Sequence, residues 1–400
     1  MLANDAPLLL DVSRLIWRRW AGRQPTGIDR VCLAYLEHFG PRAQAVVQHR
    51  RFRGILGRRT SAALFQLLGR PEKAFRTKFA AMVFRRLRSA NNRGNDRLYL
   101  NLGHTGLDSD GFRKWVGKAA VRPVYFVHDL IPLTDPEFCR AGEADRHRAR
   151  MRTVLSTAAG IIGNSEATLD ELARFASAES LPCPPALAAW LGWTPIEPSP
   201  SRSPAPGRPT FVTLGTIEAR KNHLLLLNIW KRLVARMGAD APRLLIIGQR
   251  GWEAEQVFNI LDRDAALRDH VIELNHCADR ELANHLDSAR ALVFPSKAEG
   301  YGLPLIEALA LGVPVIASDL PVFREIGQGV PLLLDFADET SWEAAIFDFA
   351  QPKSAARAAQ LQRLAGFRPP TWENHFQRVE QWLATIGQPP ADRGSIRSGS

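Results

Sequence analysis

In the stretch "EGYGLPLIEALALGVPVIASD", residues 299–319, Glu299 and Glu307 stand eight positions apart, with Gly300, Gly302 and Pro304 between them. The preceding "ALVFPS" reads as a strand ending near Ser296, Pro304 suits the first turn of a helix, and Gly312 marks that helix's end. Glu299 is therefore expected in a strand-to-helix loop and Glu307 about one turn into the helix. The glycines let a ligand approach the backbone, and the helix's free N–H groups and dipole favour an anion such as phosphate. Carboxylates repel phosphate, but they accept charge-assisted hydrogen bonds from vicinal hydroxyls. The chemistry implied is that of a ligand with phosphate in its middle and diols at both ends, a nucleoside diphosphate sugar.

A diphosphate leaving group needs positive charge. The segment "TFVTLGTIEARKNHLLLLNIW" supplies Arg220 and Lys221 at a strand-to-helix turn, just ahead of a helix expected from about Asn222. There the two cations and the helix N-terminus can share one anion. "VYFVHDLIPLTDPEF" places His128 at the C-terminal end of a strand, where α/β folds concentrate ligand contacts. His104 in "LYLNLGHTGLD" is a second strand-end histidine; it and Asp129 are assigned to the acceptor side. An N-cap role fully satisfies Ser165 in "GIIGNSEATLDEL".

These residues need a scaffold. Short apolar runs alternate with helix-period segments on both sides of "PIEPSPSRSPAPGRP" (195–209), whose six prolines and three serines read as a semi-rigid linker. The strand candidates are "PLLLDV", "AQAVVQ", "RLYLNLG", "VYFVHD" and "GIIGNS" before it, and "TFVTLG", "RLLIIGQ", "VIELN", "ALVFPS", "PVIAS" and "VPLLLD" after it. The expected organisation is an N-terminal Rossmann-like α/β domain over 1–194, the linker, a nucleotide-sugar domain over 210–370, a helix over 371–387 and a disordered tail over 388–400. Two such domains leave a cleft between them, a favoured place for a ligand.

Composition narrows the classes further. With 400 residues, 46% of them hydrophobic and 23% charged, the chain suits two or three globular domains. The N-terminus carries Asp5 and Asp11 where a signal peptide needs an unbroken apolar run, and no uncharged apolar stretch approaches the ~20 residues of a spanning helix, so a cytoplasmic place is expected. Cys32, Cys139, Cys183 and Cys277 form no CxxC pair, which argues against a zinc site or disulfide framework and for buried or inert thiols. From Arg50 to Arg97 there are 14 Lys/Arg against Glu72 and Asp96, a net +12 in a chain of +11. Leu64, Phe65, Leu67, Leu68, Phe75, Phe79, Met82, Val83 and Phe84 interleave with these cations. A basic amphipathic segment of this kind suits an anionic membrane surface, with the Phe and Leu inserted shallowly and the protein held peripherally on the inner face. Nucleic acid is the competing partner for such charge and is not expected here.

The string from 299 to 319 resembles the E-x7-E motif of retaining glycosyltransferases of family 4, mannosyltransferase-like members included. The resemblance is strong over about 208–336 and weaker before it. It implies the GT-B fold of two Rossmann-like domains facing each other across a cleft, with Glu307 on the nucleotide ribose, Glu299 on the donor sugar, and Gly300, Tyr301, Gly302 and Leu303 offering backbone amides to sugar and phosphate. The turn at 215–222 resembles the family's "G-x-x-E-P-R-K-N", so Gly215, Thr216 and Arg220 are assigned to the donor and Lys221 to its diphosphate. Thr216 stands where many relatives carry arginine. Gly27 in "QPTGIDRVCLAYLEHF" resembles the first-loop glycine beside the donor phosphate, and His128 the histidine of "H-D-L-I-P" that reaches the reacting sugar. The implied reaction is retaining transfer of a sugar from a nucleotide donor, GDP-mannose or a UDP-sugar, to a glycan or lipid-linked acceptor in surface polysaccharide synthesis. His128, Glu299 and Lys221 would carry it, and no metal or other cofactor is expected. The alternatives are a GT-B epimerase or polysaccharide synthase, an inactive scaffold, and a basic nucleic-acid-binding protein.

Overall fold

The computed structural model describes residues 8–23, 26–50, 52–70, 74–86, 93–195 and 207–387, and the side chains of 83–86 are not among what it describes. Most of the expected linker (196–206) and the whole tail (388–400) lie outside these residues.

The first domain is built on a seven-stranded sheet: β1 (Leu8–Asp11), β2 (Ala43–His49), β3 (Phe52–Ile55), β4 (Arg97–Asn101), β5 (Val121–Val127), β6 (Gly160–Gly163) and β7 (Ala186–Ala188), in the order β3-β2-β1-β4-β5-β6-β7. The second has six strands: β8 (Thr210–Leu214), β9 (Arg243–Ile247), β10 (Val271–Leu274), β11 (Ala291–Phe294), β12 (Val315–Ser318) and β13 (Leu332–Leu334), ordered β10-β9-β8-β11-β12-β13. All described pairings are parallel except β2–β3. Both sheets are doubly wound with the chain reversing direction beside the first strand, at β1/β4 and at β8/β11. Ligands of such sheets bind beyond the strands' C-terminal ends at that reversal. The strands read as unbroken apolar runs because helices cover both faces; "ALVF" of β11, for example, is buried throughout.

The eleven expected strands are all present. The two additions are β3, an antiparallel edge strand, and the three-residue β7. The helix Trp372–Gly387 crosses back and packs on the first domain: the Tyr35 hydroxyl meets His375 Nε2 at 2.9 Å, the rings of His38 and Phe376 stack at 4.0 Å, and Arg122 Nη1 donates to the Gly387 carbonyl at 3.1 Å. Gly160, opening β6, makes room for it, since a Cβ there would lie 2.5 Å from Trp382.

The basic segment differs from expectation. Leu64, Phe65, Leu67, Leu68, Phe75 and Phe79 are buried in the domain core, with Met82 packed partly buried against it, so these side chains are not free to enter a membrane. A helix facing a core and one facing a lipid surface share one amphipathic pattern, and here the partner is β2, against which the helix Arg58–Gly69 packs. The cations stay outside: Arg58, Arg59, Arg76 and Lys78 are exposed. Val83 and Phe84 belong to the side chains not described. No helix among the described residues is long and apolar enough to cross a membrane. Of the cysteines, Cys32 is buried, its thiol pushed up to about 12 by that burial, whereas Cys183 is exposed.

Candidate donor-binding cleft

At the C-terminal edge of the second sheet, β8 leads through Gly215 and Thr216 into a short turn, Ala219–Lys221, and Asn222, left-handed at φ 56°, starts the helix His223–Met237. Gly215 adopts φ +132°, and its carbonyl lies where a Cβ on Gly248 would stand, 1.9 Å away. The chain turns tightly enough to aim Lys221 back over the strand ends. Beside it β11 ends at Phe294, and the loop 295–302 precedes the helix Leu303–Ala310, with Pro304 in its first turn and Gly302, φ +106°, as its left-handed cap.

Glu299 is the hub of this edge. Its Oε1 accepts from Lys221 Nζ and, at 2.7 Å, from Ser296 Oγ; its Oε2 accepts from Arg220 Nη1 at 3.1 Å. Arg220 also donates to the Ala298 carbonyl (2.7 Å) and to buried Glu218 (2.7 Å). Burial opposes ionisation of Glu299, but Lys221 and Arg220 outweigh it and hold the carboxyl at about 2. Burial also lowers the pKa of Lys221, with Glu299 opposing. Two cations are thus concentrated at one point, balanced by Glu299 and Glu218 of their own domain.

Glu307 lies one turn into its helix, nearly buried, and pairs across the cleft with Arg30 Nη1 at 3.0 Å. Burial raises its pKa, and Arg30 counteracts this. Arg30 follows Gly27, which is the first residue of the helix Gly27–Phe39 and not a residue ahead of it; Thr26 is the cap, its N–H donating to Asp29 Oδ2 at 2.7 Å. Gly27, Arg30, Leu303, Glu307 and Asp279 line a cleft of ≈1000 Å³ that runs on to His38 and Trp372. The Tyr301 side chain does not face this cleft, for its hydroxyl donates to the Leu191 carbonyl at 3.1 Å. Only its backbone is free for the donor.

On the opposite wall, His128 Nε2 meets the Leu102 carbonyl at 2.7 Å, and His104 Nε2 the Phe126 carbonyl at 2.7 Å. A carbonyl only accepts, so each Nε2 carries the proton and each Nδ1 the lone pair. The two imidazoles latch the splaying ends of β4 and β5 reciprocally. Burial brings His128 down to about 4, against the pull of the Leu102 carbonyl and Asp129, so the ring is neutral at pH 7. Gly300 is pressed against this wall: a Cβ there would lie 2.9 Å from the His128 carbonyl and 3.0 Å from the Asp129 Cβ. Ser165 caps the helix Glu166–Ala178 by accepting from Thr168 N, as expected. A second, smaller cavity of ≈190 Å³ lies between Thr134, Asp135 and Glu171 of the first domain and Lys297 and Glu299 of the second. Burial pushes Glu171 up to about 7, with Arg174 opposing.

The structure therefore brings Gly215, Arg220, Lys221 and Glu299 together at the end of the second sheet, Glu299 lining the smaller cavity; Gly27 and Glu307 line the larger cleft, His128 and Asp129 meet that loop at Gly300, and His104 is joined to the Phe126 carbonyl beside His128. Sequence reasoning missed Arg30, Asn164, Glu218, Ser296 and Glu325, of which Arg30, three residues after Gly27 on a helix, was the most accessible. Among the described residues, no three His, Cys, Asp or Glu side chains converge into a metal-holding group.

Residues 197–351 match the family described as Glycosyl transferases group 1. The serotype-specific mannosyltransferase WbdA of Escherichia coli is 40% identical over 120 residues, covering 30% of this chain and 14% of WbdA. The O-antigen chain mannosyltransferase RfbU of Salmonella typhimurium is 38% identical over 176 residues, 44% of this chain and 46% of RfbU. The chain thus spans less than half the length of these relatives. The solved structure of Anabaena HepE in complex with UDP-glucose superposes with a TM-score of 0.65 at 14% identity, over 94% of this chain and 99% of HepE. That likeness extends over both domains, and the fold is GT-B.

Proposed function

We propose that this chain is a retaining glycosyltransferase that moves a sugar, mannose from GDP-mannose in the first instance, onto a glycan or lipid-linked acceptor in surface polysaccharide synthesis. The observation that carries the reading is the convergence of Lys221 and Arg220 on Glu299 at the reversal point of the second sheet, with Glu307 on the helix that the same loop leads into. The mannosyltransferase relatives supply the choice of sugar, and the family 4 resemblance supplies retention. The donor diphosphate displaces Glu299 from the cations, which then stabilise the charge that grows as the glycosidic bond breaks. The freed carboxylate accepts from sugar hydroxyls. Glu307 exchanges Arg30 for the ribose diol. His128, neutral with a free Nδ1, accepts a hydrogen bond from the transferred sugar. Bond cleavage leads, and the acceptor hydroxyl attacks the same face through an oxocarbenium-like state, passing its proton to the departing diphosphate oxygen. Lys221 and Arg220 meet the leaving charge, and the proposed reaction uses no metal. The acceptor enters from the first domain, with Glu171 beside it, and the exposed cations of the basic segment hold the protein against the inner face of an anionic membrane.

The test is calorimetry and turnover with GDP-mannose and a panel of UDP- and ADP-sugars, with free nucleoside diphosphate release as the readout. Saturable binding of one donor, with acceptor-dependent release, supports the reading. Binding of none of them refutes it.

A further inference from the structure

We propose that Asn164 is a positioning residue that makes assembly of the donor site conditional on closure of the two domains; the inference rests on the glycosyltransferase reading above. Asn164 directly follows β6 and is 2% exposed. Its Nδ2 donates to the carbonyl of His128, in its own domain, at 2.7 Å, and to the carbonyl of Gly300, in the other domain, at 2.9 Å. Its Oδ1 accepts from Thr168 Oγ1 at 2.8 Å and from Ser165 Oγ at 3.2 Å. Both partners of the nitrogen can only accept, so the orientation of the amide is fixed, and all four of its hydrogen-bonding capacities are spent.

The two carbonyls it joins belong to the residues that matter most on each wall. One is that of His128, beside the reacting sugar. The other is that of Gly300, next to Glu299 and within the loop whose amides face the donor. Spanning two carbonyls takes two hydrogens on one nitrogen, and holding that nitrogen in place takes an acceptor on the same planar group, which is what a primary amide offers. Aspartate in its place would aim negative charge at both carbonyls, and alanine would remove the one group that joins them, leaving Gly300 only the long contact from Thr168 Oγ1 at 3.5 Å. Gly300 cooperates, since any Cβ would wedge the two backbones apart at 2.9 Å.

A separate contact holds the same helix end without touching the donor loop. Glu325 of the second domain accepts from the N–H groups of Glu166 and Ala167, each at 3.0 Å, and from Trp190 Nε1 at 2.6 Å. Glu325 thus ties the domains together, and Asn164 sets the register of His128 against the Glu299 loop once they meet. In an open state the Gly300 carbonyl returns to water and the loop loses its reference to the histidine.

The experiment compares wild type with Asn164→Asp, Asn164→Ala and Thr168→Val in full-length protein. It measures GDP and UDP affinity by calorimetry, kcat with the donor found for wild type, and donor-induced compaction by small-angle scattering. Diphosphate and ribose contacts lie in the second domain, so nucleotide affinity should stay within about threefold while kcat falls about 10- to 100-fold and compaction is lost. Thr168→Val, which removes one of the two donors to Oδ1 and leaves both bonds from Nδ2 in place, should fall between. Wild-type kcat and compaction in Asn164→Asp overturn the proposal. So does a parallel loss of affinity, stability and kcat in all three variants, which marks a merely structural residue. A wild type that binds no nucleotide sugar removes the glycosyltransferase reading and this inference with it, whereas an active wild type with indifferent variants removes this inference alone.

Discussion

Glu299→Gln keeps the shape of the side chain and removes the charge shared by Lys221 and Arg220. In the wild type the carboxyl is held at about 2 against an ordinary 4.5, a preference for the charged form of about 3 kcal/mol at 1.36 kcal/mol per pH unit. Breaking a buried pair costs about 3–5 kcal/mol, and because Glu218 still engages Arg220 the lower end applies. For a unit of 150–250 residues, about 3 kcal/mol corresponds to a fall in Tm of roughly 6–12 °C. Because the folded carboxyl lies below its unfolded value, its stabilisation is present above about pH 4.5 and is lost as pH falls toward 2, a slope the variant should lack. The informative half is the response to ligand. In the variant the cations no longer have Glu299 to release, only Glu218 on Arg220, so GDP or UDP should bind more tightly, by up to about 100-fold if the whole ~3 kcal/mol is recovered. Scanning fluorimetry and calorimetry at fixed salt measure both. A lower Tm with unchanged or weaker affinity for GDP, UDP and pyrophosphate would mean that the Lys221–Glu299 pair is architectural and the diphosphate binds elsewhere.

Glu307→Ala should weaken nucleotide binding by about 1.5–3 kcal/mol; unaltered affinity in calorimetry takes Glu307 off the ribose. His128 lies at about 4 against an ordinary 6.5, so its contribution is full above pH 6.5 and fades as pH falls toward 4, about 2 kcal/mol being gone by pH 5. Urea unfolding at pH 7 and pH 5 should show that loss in wild type and a smaller one in His128→Gln, and equal losses would refute the assignment. Glu171, at about 7 beside the smaller cavity, should give the acceptor KM a pH dependence near neutrality that Glu171→Gln abolishes while donor KM holds; a shift in donor KM instead would place it on the other substrate. With its apolar side chains in the core, the basic segment should bind anionic liposomes by charge alone, at about 1 kcal/mol per cation. Co-sedimentation should then vanish in high salt and in Arg58→Glu/Arg59→Glu/Arg76→Glu, and absence of wild-type pelleting, or preference for nucleic acid over lipid, would end the membrane reading.

The second domain was readable because its signals are local. β8, β9 and β11 are apolar runs closed by glycine or proline, and the acids, glycines and proline of the loop at 299–307 lie within nine residues of one another, so one short string carries the turn chemistry together with the residues proposed for the donor. The strands that escaped had no such mark. β3 is "FRGI", an edge strand in which arginine and glycine interrupt the apolar pattern, and β7 is "ALA" behind two prolines. Neither makes a period long enough to register against its surroundings.

What stayed hidden are contacts between distant parts of the chain. Arg30 and Glu307 are separated by 277 residues, Asn164 and Gly300 by 136, and Ala167 and Glu325 by 158. In the sequence each of these polar residues looks like any other on a helix or turn. Their meaning depends on two domains meeting at one angle, and hydrophobic patterning says little about that angle, although one apolar cluster runs on from the first domain into the second. Beside that cluster, single polar groups stand opposite backbone atoms across the domains: Asn164 against Gly300, Glu325 against a helix end, Tyr301 against Leu191. Hydrogen bonds of this kind contribute about 1 kcal/mol each, enough to favour closure and too little to prevent opening. The cycle proposed above, in which a nucleotide sugar binds and a nucleoside diphosphate leaves, needs a cleft held in that way.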